Sequence, residues 1–163
     1  MDTELFIFRV NTPVKTLEVV HNGTFILYIN FCDVDVEAKV CHHPLSVEAL
    51  HQLEAYFNHR LSIFDLPLQP YGTDFEQKVW KEIIIIPFGK TYSYKDLALK
   101  MGSVTYTRAV GSANGKNPIP IIIPCHRVIG NKGQLTGFSG GLWRKQWLIE
   151  HEFNHTHGIQ LLF

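Results

Sequence analysis

The chain has 163 residues, of which 45% are hydrophobic and 18% charged, and 15 Lys+Arg balance 15 Asp+Glu for a formal net charge of zero. This composition supports a core and excludes disorder. Neutrality excludes the coating of nucleic acid or membrane by bulk charge, but not a local basic face.

The start, Met1-Asp2-Thr3-Glu4, is acidic and lacks the basic-then-apolar layout of a secretory leader. No apolar run approaches the ~18 residues of a membrane span. Three scattered cysteines, Cys32, Cys41 and Cys125, make no disulfide framework. A soluble, intracellular, cytoplasmic protein is expected. The first elements read as strands: Leu5-Phe6-Ile7-Phe8, Thr24 to Ile29 and Val34-Asp35-Val36, with Asn22-Gly23 as a hairpin turn. Ser46 is placed to cap a helix from Val47 to Phe57 whose apolar side is Val47, Leu50, Leu53, Tyr56 and Phe57. Pro67, Pro70 and Gly72 mark 58–72 as a linker. Residues 1–69 are thus expected to form an N-terminal α/β lobe with its linker, and 70–163 a second, mostly helical domain.

Thr73 and Glu76 have the spacing of a capping box for a helix from Asp74 to Ile86, with Phe75, Val79, Ile83 and Ile86 on its apolar face, joined by Trp80 and Ile84. Ser93 and Asp96 cap a short helix from Tyr94 to Met101, and Ser103 a second one to about Ala113. Two short helices around a Gly-containing turn have helix-turn-helix spacing, although an ordinary αα-hairpin has it too. The second helix is rich in small residues and carries Arg108, a combination suited to close approach to a groove.

Asn117-Pro118-Ile119-Pro120 then leads through Ile121-Ile122-Ile123 to Pro124-Cys125-His126-Arg127-Val128. A free cysteine is usually a small buried hydrophobe. Here His and Arg follow it directly, and nearby positive charge makes a thiolate nucleophile by lowering the thiol pKa. Five glycines (130, 133, 137, 140, 141) punctuate the next loop around Phe138-Ser139, before a helix from Leu142 to Phe153.

These segments together resemble the O⁶-alkylguanine-DNA alkyltransferases. The likeness is carried by Asn117-Pro118, Pro124-Cys125-His126-Arg127-Val128, Gly137-Phe138-Ser139-Gly140-Gly141-Leu142 and Trp147-Leu148-Ile149-Glu150-His151-Glu152. It is carried as well by Gly72-Thr73-Asp74-Phe75, Val79-Trp80, Ser93-Tyr94 and Arg108-Ala109-Val110-Gly111. It spans residues 70–153 closely and the N-terminal lobe in layout only.

The resemblance implies an α/β fold: an antiparallel sheet with a helix, then a mostly helical lobe with a helix-turn-helix and a short sheet near the cysteine. It implies single-use transfer of an alkyl group from O⁶-alkylguanine, with O⁴-alkylthymine left open, to Cys125. His126 and Glu152 would activate the thiol through a bridging water, since adjacent side chains diverge in extended backbone. Asn117 would brace the segment, and Tyr94 would assist at the target phosphate and at N3. Val128, Phe138, Ser139 and Gly140 would hold the base, with the Cys125 and Val128 carbonyls accepting from its exocyclic amine. Arg108, Tyr94, Ser93, Ala109 and Ala113 would meet the DNA minor groove, with Arg108 filling the place of the flipped nucleotide. Arg127 is expected to pair internally, and Trp80 and Trp147 to lie in the core.

Double-stranded DNA is the expected partner, the protein a monomer with clustering left open, and no cofactor is expected. Cys32, Cys41, His42 and His43 fit no standard zinc spacing, so no metal is expected. A non-catalytic lesion-binding relative would lack Cys125 and usually carry tryptophan there. A Cys-His hydrolase of the papain kind would bring its histidine from far along the chain. A plain transcription regulator would not need Pro-Cys-His-Arg.

Overall fold

A computed structural model describes residues 3–157; Met1 and Asp2 of the acidic start, and 158–163 at the end of the second domain, lie outside the described residues. The chain divides into two compact units, Met1–Tyr71 and Gly72–Phe163.

The first unit is a three-stranded antiparallel sheet in the order β1(Phe6–Thr12), β2(Lys15–His21), β3(Ile26–Phe31), with α1(Pro44–Phe57) packed on β1. Phe8, Leu17, Val19, Ile26, Ile29, Leu53 and Tyr56 form its buried apolar layer. Asn22-Gly23 does turn the chain, between β2 and β3: Asn22 Oδ1 accepts from the backbone N–H groups of Thr24 (3.0 Å) and Phe25 (2.8 Å), and Gly23 sits at φ +87°. The preceding strand, Lys15–His21, escaped the sequence reading because its turn lies at Pro13-Val14 and puts Lys15, not a glycine, at φ +70°. Thr12 Oγ1 holds that turn by accepting from Val14 N–H at 3.1 Å and donating to the Lys15 carbonyl at 2.6 Å.

Val34–Val36 is not a strand. Val34 is exposed, and the segment is tethered by buried Thr16, whose Oγ1 accepts from Val36 N–H at 2.9 Å. Helix α1 begins earlier than expected. His43 is its cap, accepting from Leu45 N–H through Nδ1 at 3.1 Å, Pro44 takes the first turn, and Val47 is turned to solvent. Ser46 lies one turn inside, buried, with its Oγ on His21 Nε2. The stretch read as a linker belongs largely to this unit: Ile26 N–H donates to the Pro67 carbonyl (2.8 Å), Gln69 N–H to Ile26 (3.0 Å), and the Gln52 amide binds both backbone polar groups of Asp65.

The second unit contains α2(Asp74–Ile84), β4(Tyr92–Ser93), α3(Tyr94–Lys100), α4(Thr107–Gly115), β5(Val128–Ile129) and α5(Leu142–His157). Both expected capping boxes are present, Thr73 with Glu76 and Ser93 with Asp96. Helix α2 stops at Ile84, which is exposed, while Ile86 just beyond it is buried. Ser103 caps a single 3₁₀ turn, Val104–Tyr106, before α4 proper begins at Thr107. Helix α4 packs on α2 and α3, and Trp80 Nε1 donates to the Ala113 carbonyl at 2.9 Å. β4 and β5 pair in parallel, Tyr92 with Val128 and Ser93 with Ile129, so the sheet ties the start of α3 to the residue three places after Cys125.

Candidate active site

Cys125 is delivered by a stiff approach that is buried from Ile119 onward. Ile121, a β-branched residue, sits at φ +75°, where such side chains are rare. Asn117 holds the bend: its Nδ2 donates to the Ile123 carbonyl at 2.7 Å and its Oδ1 accepts from Ile119 N–H at 3.0 Å. The same side chain is a hydrogen-bond partner of the Cys125 sulfur. Cys125, His126 and Arg127 then form one 3₁₀ turn, closed by Arg127 N–H on the Pro124 carbonyl (2.9 Å) and Val128 N–H on the Cys125 carbonyl. The backbone is therefore not extended as the sequence reading supposed. Nor is the Cys125 carbonyl idle, since the Asn114 amide also donates to it at 3.3 Å.

The turn aims two basic side chains at one carboxylate. His126 Nε2 lies 2.7 Å from Glu152 Oε1, and Arg127 grips the same group with Nε on Oε2 (2.8 Å) and Nη2 on Oε1 (2.9 Å). Gly89 N–H adds a 3.3 Å bond to Oε2, and Arg127 Nη1 anchors on the Ile86 carbonyl at 2.7 Å. His126 is 0% and Glu152 1% exposed. A carboxylate accepts only, so His126 carries its hydrogen on Nε2. Nδ1 is then a bare acceptor, buried and without a hydrogen-bond partner among the described residues.

Burial pushes the Cys125 thiol up to about 11, against the smaller opposing pull of Asn117 and Lys145. Burial thus favours the thiol as the resting form, and its deprotonation accompanies the reaction. Neighbouring charge does not leave a standing thiolate, contrary to the simple expectation from the basic neighbours. Burial lowers His126, with Glu152 opposing, and so favours the uncharged imidazole. Burial alone would raise Glu152, but His126 and Arg127 together hold it well below the usual carboxylate range.

Lys145 is a site residue that sequence reasoning missed. It is 0% exposed, and its Nζ donates to the Thr136 carbonyl (2.9 Å) and to Tyr94 Oη (3.3 Å), 5.6 Å from the Tyr94 ring centre. Tyr94 Oη donates to the same Thr136 carbonyl at 2.9 Å. The signal was present in the helical period, since residues 145, 148 and 152 share one face of α5. That inward face is lined by Arg144, Lys145, Leu148, His151 and Glu152, so an apolar-stripe criterion passes over it. Trp147, expected in the core, is half-buried and stacks on His151 at 4.7 Å.

Val128 is fully buried behind the turn. In the loop, Gly140 is buried and its carbonyl takes Arg144 Nη1 at 2.7 Å, Phe138 is half-buried and Ser139 exposed. Gly137, at φ +57°, passes close to Tyr94 Oη, which ties this loop to α3. Arg108 and Ala109 are exposed on α4 and Ser93 is half-buried. Ala113 does not belong with them: it is 2% exposed, turned onto α2 where its carbonyl holds Trp80, so it cannot meet a ligand at the surface.

Among the described residues no group of three or more His, Cys, Asp and Glu side chains is placed to hold a metal ion, and no helix is long and apolar enough to cross a membrane.

Residues 74–154 match the family model described as 6-O-methylguanine DNA methyltransferase, DNA binding domain, and residues 8–70 the model for its ribonuclease-like domain. A methylated-DNA–protein-cysteine methyltransferase of Mycobacterium bovis is 42% identical over 158 residues, covering 94% of this chain and 96% of the relative. The crystal structure of the Mycobacterium tuberculosis O⁶-methylguanine methyltransferase superposes with a TM-score of 0.84 at 38% identity, covering 93% of this chain and 94% of that one. A second structure, Mycobacterium tuberculosis OGT in complex with DNA, gives a TM-score of 0.82 at 40% identity, covering 91% and 93%.

Proposed function

The chain belongs to the 6-O-methylguanine DNA methyltransferase family, and on that premise we propose that it rotates O⁶-alkylguanine out of duplex DNA and takes the alkyl group on Cys125 once per molecule. Its enzyme class is that of its relatives, methylated-DNA–protein-cysteine methyltransferase, and its work is DNA repair by alkyl transfer. The observation that carries the finer reading is the pairing of a buried thiol with a histidine whose Nδ1 is bare and whose Nε2 is committed to Glu152.

In the reaction the Cys125 sulfur attacks the alkyl carbon, an S–C bond forms and the C–O⁶ bond breaks. The thiol proton passes by way of a water to His126 Nδ1, and the guanine anion released takes up one proton from water, which the His126 imidazolium replaces, so that the ring returns to its neutral form. Glu152 holds the ring and stabilises its charged form. A thioether has no hydrolytic exit at neutral pH, so each molecule is spent by one event.

Arg108 and Ala109 on exposed α4, with Ser93 and Tyr94 at the start of α3, would form the DNA face in the minor groove, and Arg108 would enter the stack. Phe138, Ser139 and Gly140, with the Val128 backbone, would hold the extruded base. Asn117 supports the thiolate as it forms, and Lys145 keeps Tyr94 aimed. O⁴-alkylthymine would fit the same chemistry. The protein would act as a cytoplasmic monomer on chromosomal DNA.

Intact-mass measurement after incubation with a duplex carrying O⁶-methylguanine tests the reading. One methylene should be gained on the Cys125 peptide, and none in Cys125→Ala. Turnover beyond one equivalent, or no gain in the wild-type protein, would overturn it.

A further inference from the structure

Arg127 enters none of the steps above, yet it grips both oxygens of the Glu152 carboxylate. Its fork takes both oxygens at 2.8 and 2.9 Å, its third contact fixes it to the Ile86 carbonyl, and its guanidinium lies 5.5 Å from the Phe88 ring centre. The side chain is 8% exposed, so the pair is poorly screened. We propose that Arg127 is a positioning residue for alkyl transfer that keeps His126 uncharged by neutralising Glu152. This rests on the reading of His126 as the proton acceptor.

Charge count in a buried space decides the state of the ring. Among the described residues the charged groups acting on His126 are Arg127 on its own turn and Lys145 and Glu152 on α5, with the Cys125 thiol adjacent in the turn; the main-chain groups of Ile86 and Gly89 after α2 bind Arg127 and Glu152, and the uncharged Asn114 of α4 binds the Cys125 carbonyl. Lys90 and His157 stand further out, lining a cleft of about 360 Å³ behind Arg127 and Glu152. With Arg127 in place, Arg127 and Lys145 together outweigh the single Glu152 carboxylate, and a further proton on His126 would add to a cluster that is already positive. Without Arg127, Lys145 and Glu152 balance and the carboxylate turns to His126 without a guanidinium competing for it, so a proton on the ring meets less opposition. A ring that already carries that proton has no free Nδ1 and cannot accept one from the thiol. His126 must therefore be protected from the very carboxylate that orients it, and the Arg127 fork does this.

Single-turnover rates with an O⁶-methylguanine duplex, measured between about pH 5.5 and pH 9.5 for wild type, Arg127→Lys and Arg127→Met, decide the matter. Removing a like charge at this range raises a neighbouring titration by about one pH unit or more. Arg127→Met should shift the acid limb of the profile upward by about that much, so that its deficit at low pH exceeds its deficit at high pH by about tenfold. Arg127→Lys keeps the charge without the fork and should retain the wild-type limb even if slower. A loss by the same factor at every pH in Arg127→Met would reduce Arg127 to a structural tie and overturn the proposal. Should Arg127→Met not fold, the ring ¹⁵N spectrum of His126 in the wild-type protein still decides: Nε2–H with bare Nδ1 at neutral pH is expected, and an imidazolium there overturns the proposal. Absence of the Cys125 mass gain in wild type would instead sink the underlying reading, and the two failures are distinguishable.

Discussion

Replacing Asn117 with alanine removes three roles at once, and the structure sets the size of each. Ile119 N–H loses its acceptor inside a residue that is 0% exposed, while the Ile123 carbonyl loses one donor and keeps Cys125 N–H at 2.8 Å. An unsatisfied buried backbone group costs about 1–3 kcal/mol and a lost hydrogen bond about 1 kcal/mol, so Asn117→Ala should lose about 2–4 kcal/mol in urea unfolding. Part of this reflects Ile121, whose left-handed backbone persists only while its neighbours hold it. The third loss is at the sulfur, where the amide opposes the rise of the thiol toward about 11. One hydrogen bond of that kind amounts to about tenfold in single-turnover rate. Asn117→Asp separates the roles, because the carboxylate keeps an acceptor for Ile119 N–H but loses the donors and adds negative charge beside the sulfur. It should transfer more slowly than Asn117→Ala while unfolding no more easily, and its iodoacetamide trapping should shift to higher pH. Unfolding of Asn117→Ala within about 0.5 kcal/mol of wild type, or equal rates for the two variants, would refute this account.

Lys145→Met should slow transfer by about ten- to a hundredfold and delay thiol trapping to higher pH, with the Tyr94 hydroxyl no longer clamped from two sides; unchanged rates in a quenched-flow assay would count against it. Stability should fall with acid in two stages, followed by circular dichroism in urea. His21 and His126 are both lowered in the fold, so the unfolded chain binds the extra protons, and their contribution is complete above the ordinary histidine value near 6.5 and lost progressively below it. Glu152 is held down, so its share is present above the ordinary carboxylate value and drains away below about pH 4.5. His21→Gln should blunt the first stage, because proton uptake at Nδ1 displaces the 3.0 Å bond from Gly23 N–H. Two glycines should respond in opposite directions. A Cβ at Gly72 would come within 2.4 Å of the Trp80 ring, so Gly72→Ala should lower the melting temperature. At Gly111 it would meet only the Tyr94 ring at 3.8 Å, and Gly111→Ala should stabilise α4 by about 0.5–1 kcal/mol.

What could be read from the chain was whatever is written locally. Thr73 with Glu76 and Ser93 with Asp96 each satisfy their own helix ends within four residues, and both boxes are present. The Asn22-Gly23 turn is equally self-contained. Lys15–His21 was missed because its identity as a strand depends on a turn closed by Thr12 and on two partner strands, neither visible in its own residues. Val34–Val36 erred the other way: its composition suits a strand, but the sheet offers it no continuous edge, and Thr16 binds it instead. At the site, Cys125, His126 and Glu152 are legible in the sequence, and Arg127 pairs internally as expected, with Glu152 as its partner; Lys145 was not legible, since it depends on which way α5 faces. Ala113 failed because its place on the face of α4 turned onto α2 is set by the packing of Trp80, not by its own neighbours in sequence.

The sheet of the first unit has two outer strands, and a single loop residue docks on each: Lys39 pairs with Arg9 on β1, and Leu68 with Ile26 on β3. An unpaired strand edge is a template for joining another chain, and a small three-stranded sheet has little else to discourage that. The two docked loops blunt both templates without adding a strand. They give the segments around residues 39 and 68 a part in keeping the protein dispersed, and loosening either one should show first as aggregation, before any change in alkyl transfer.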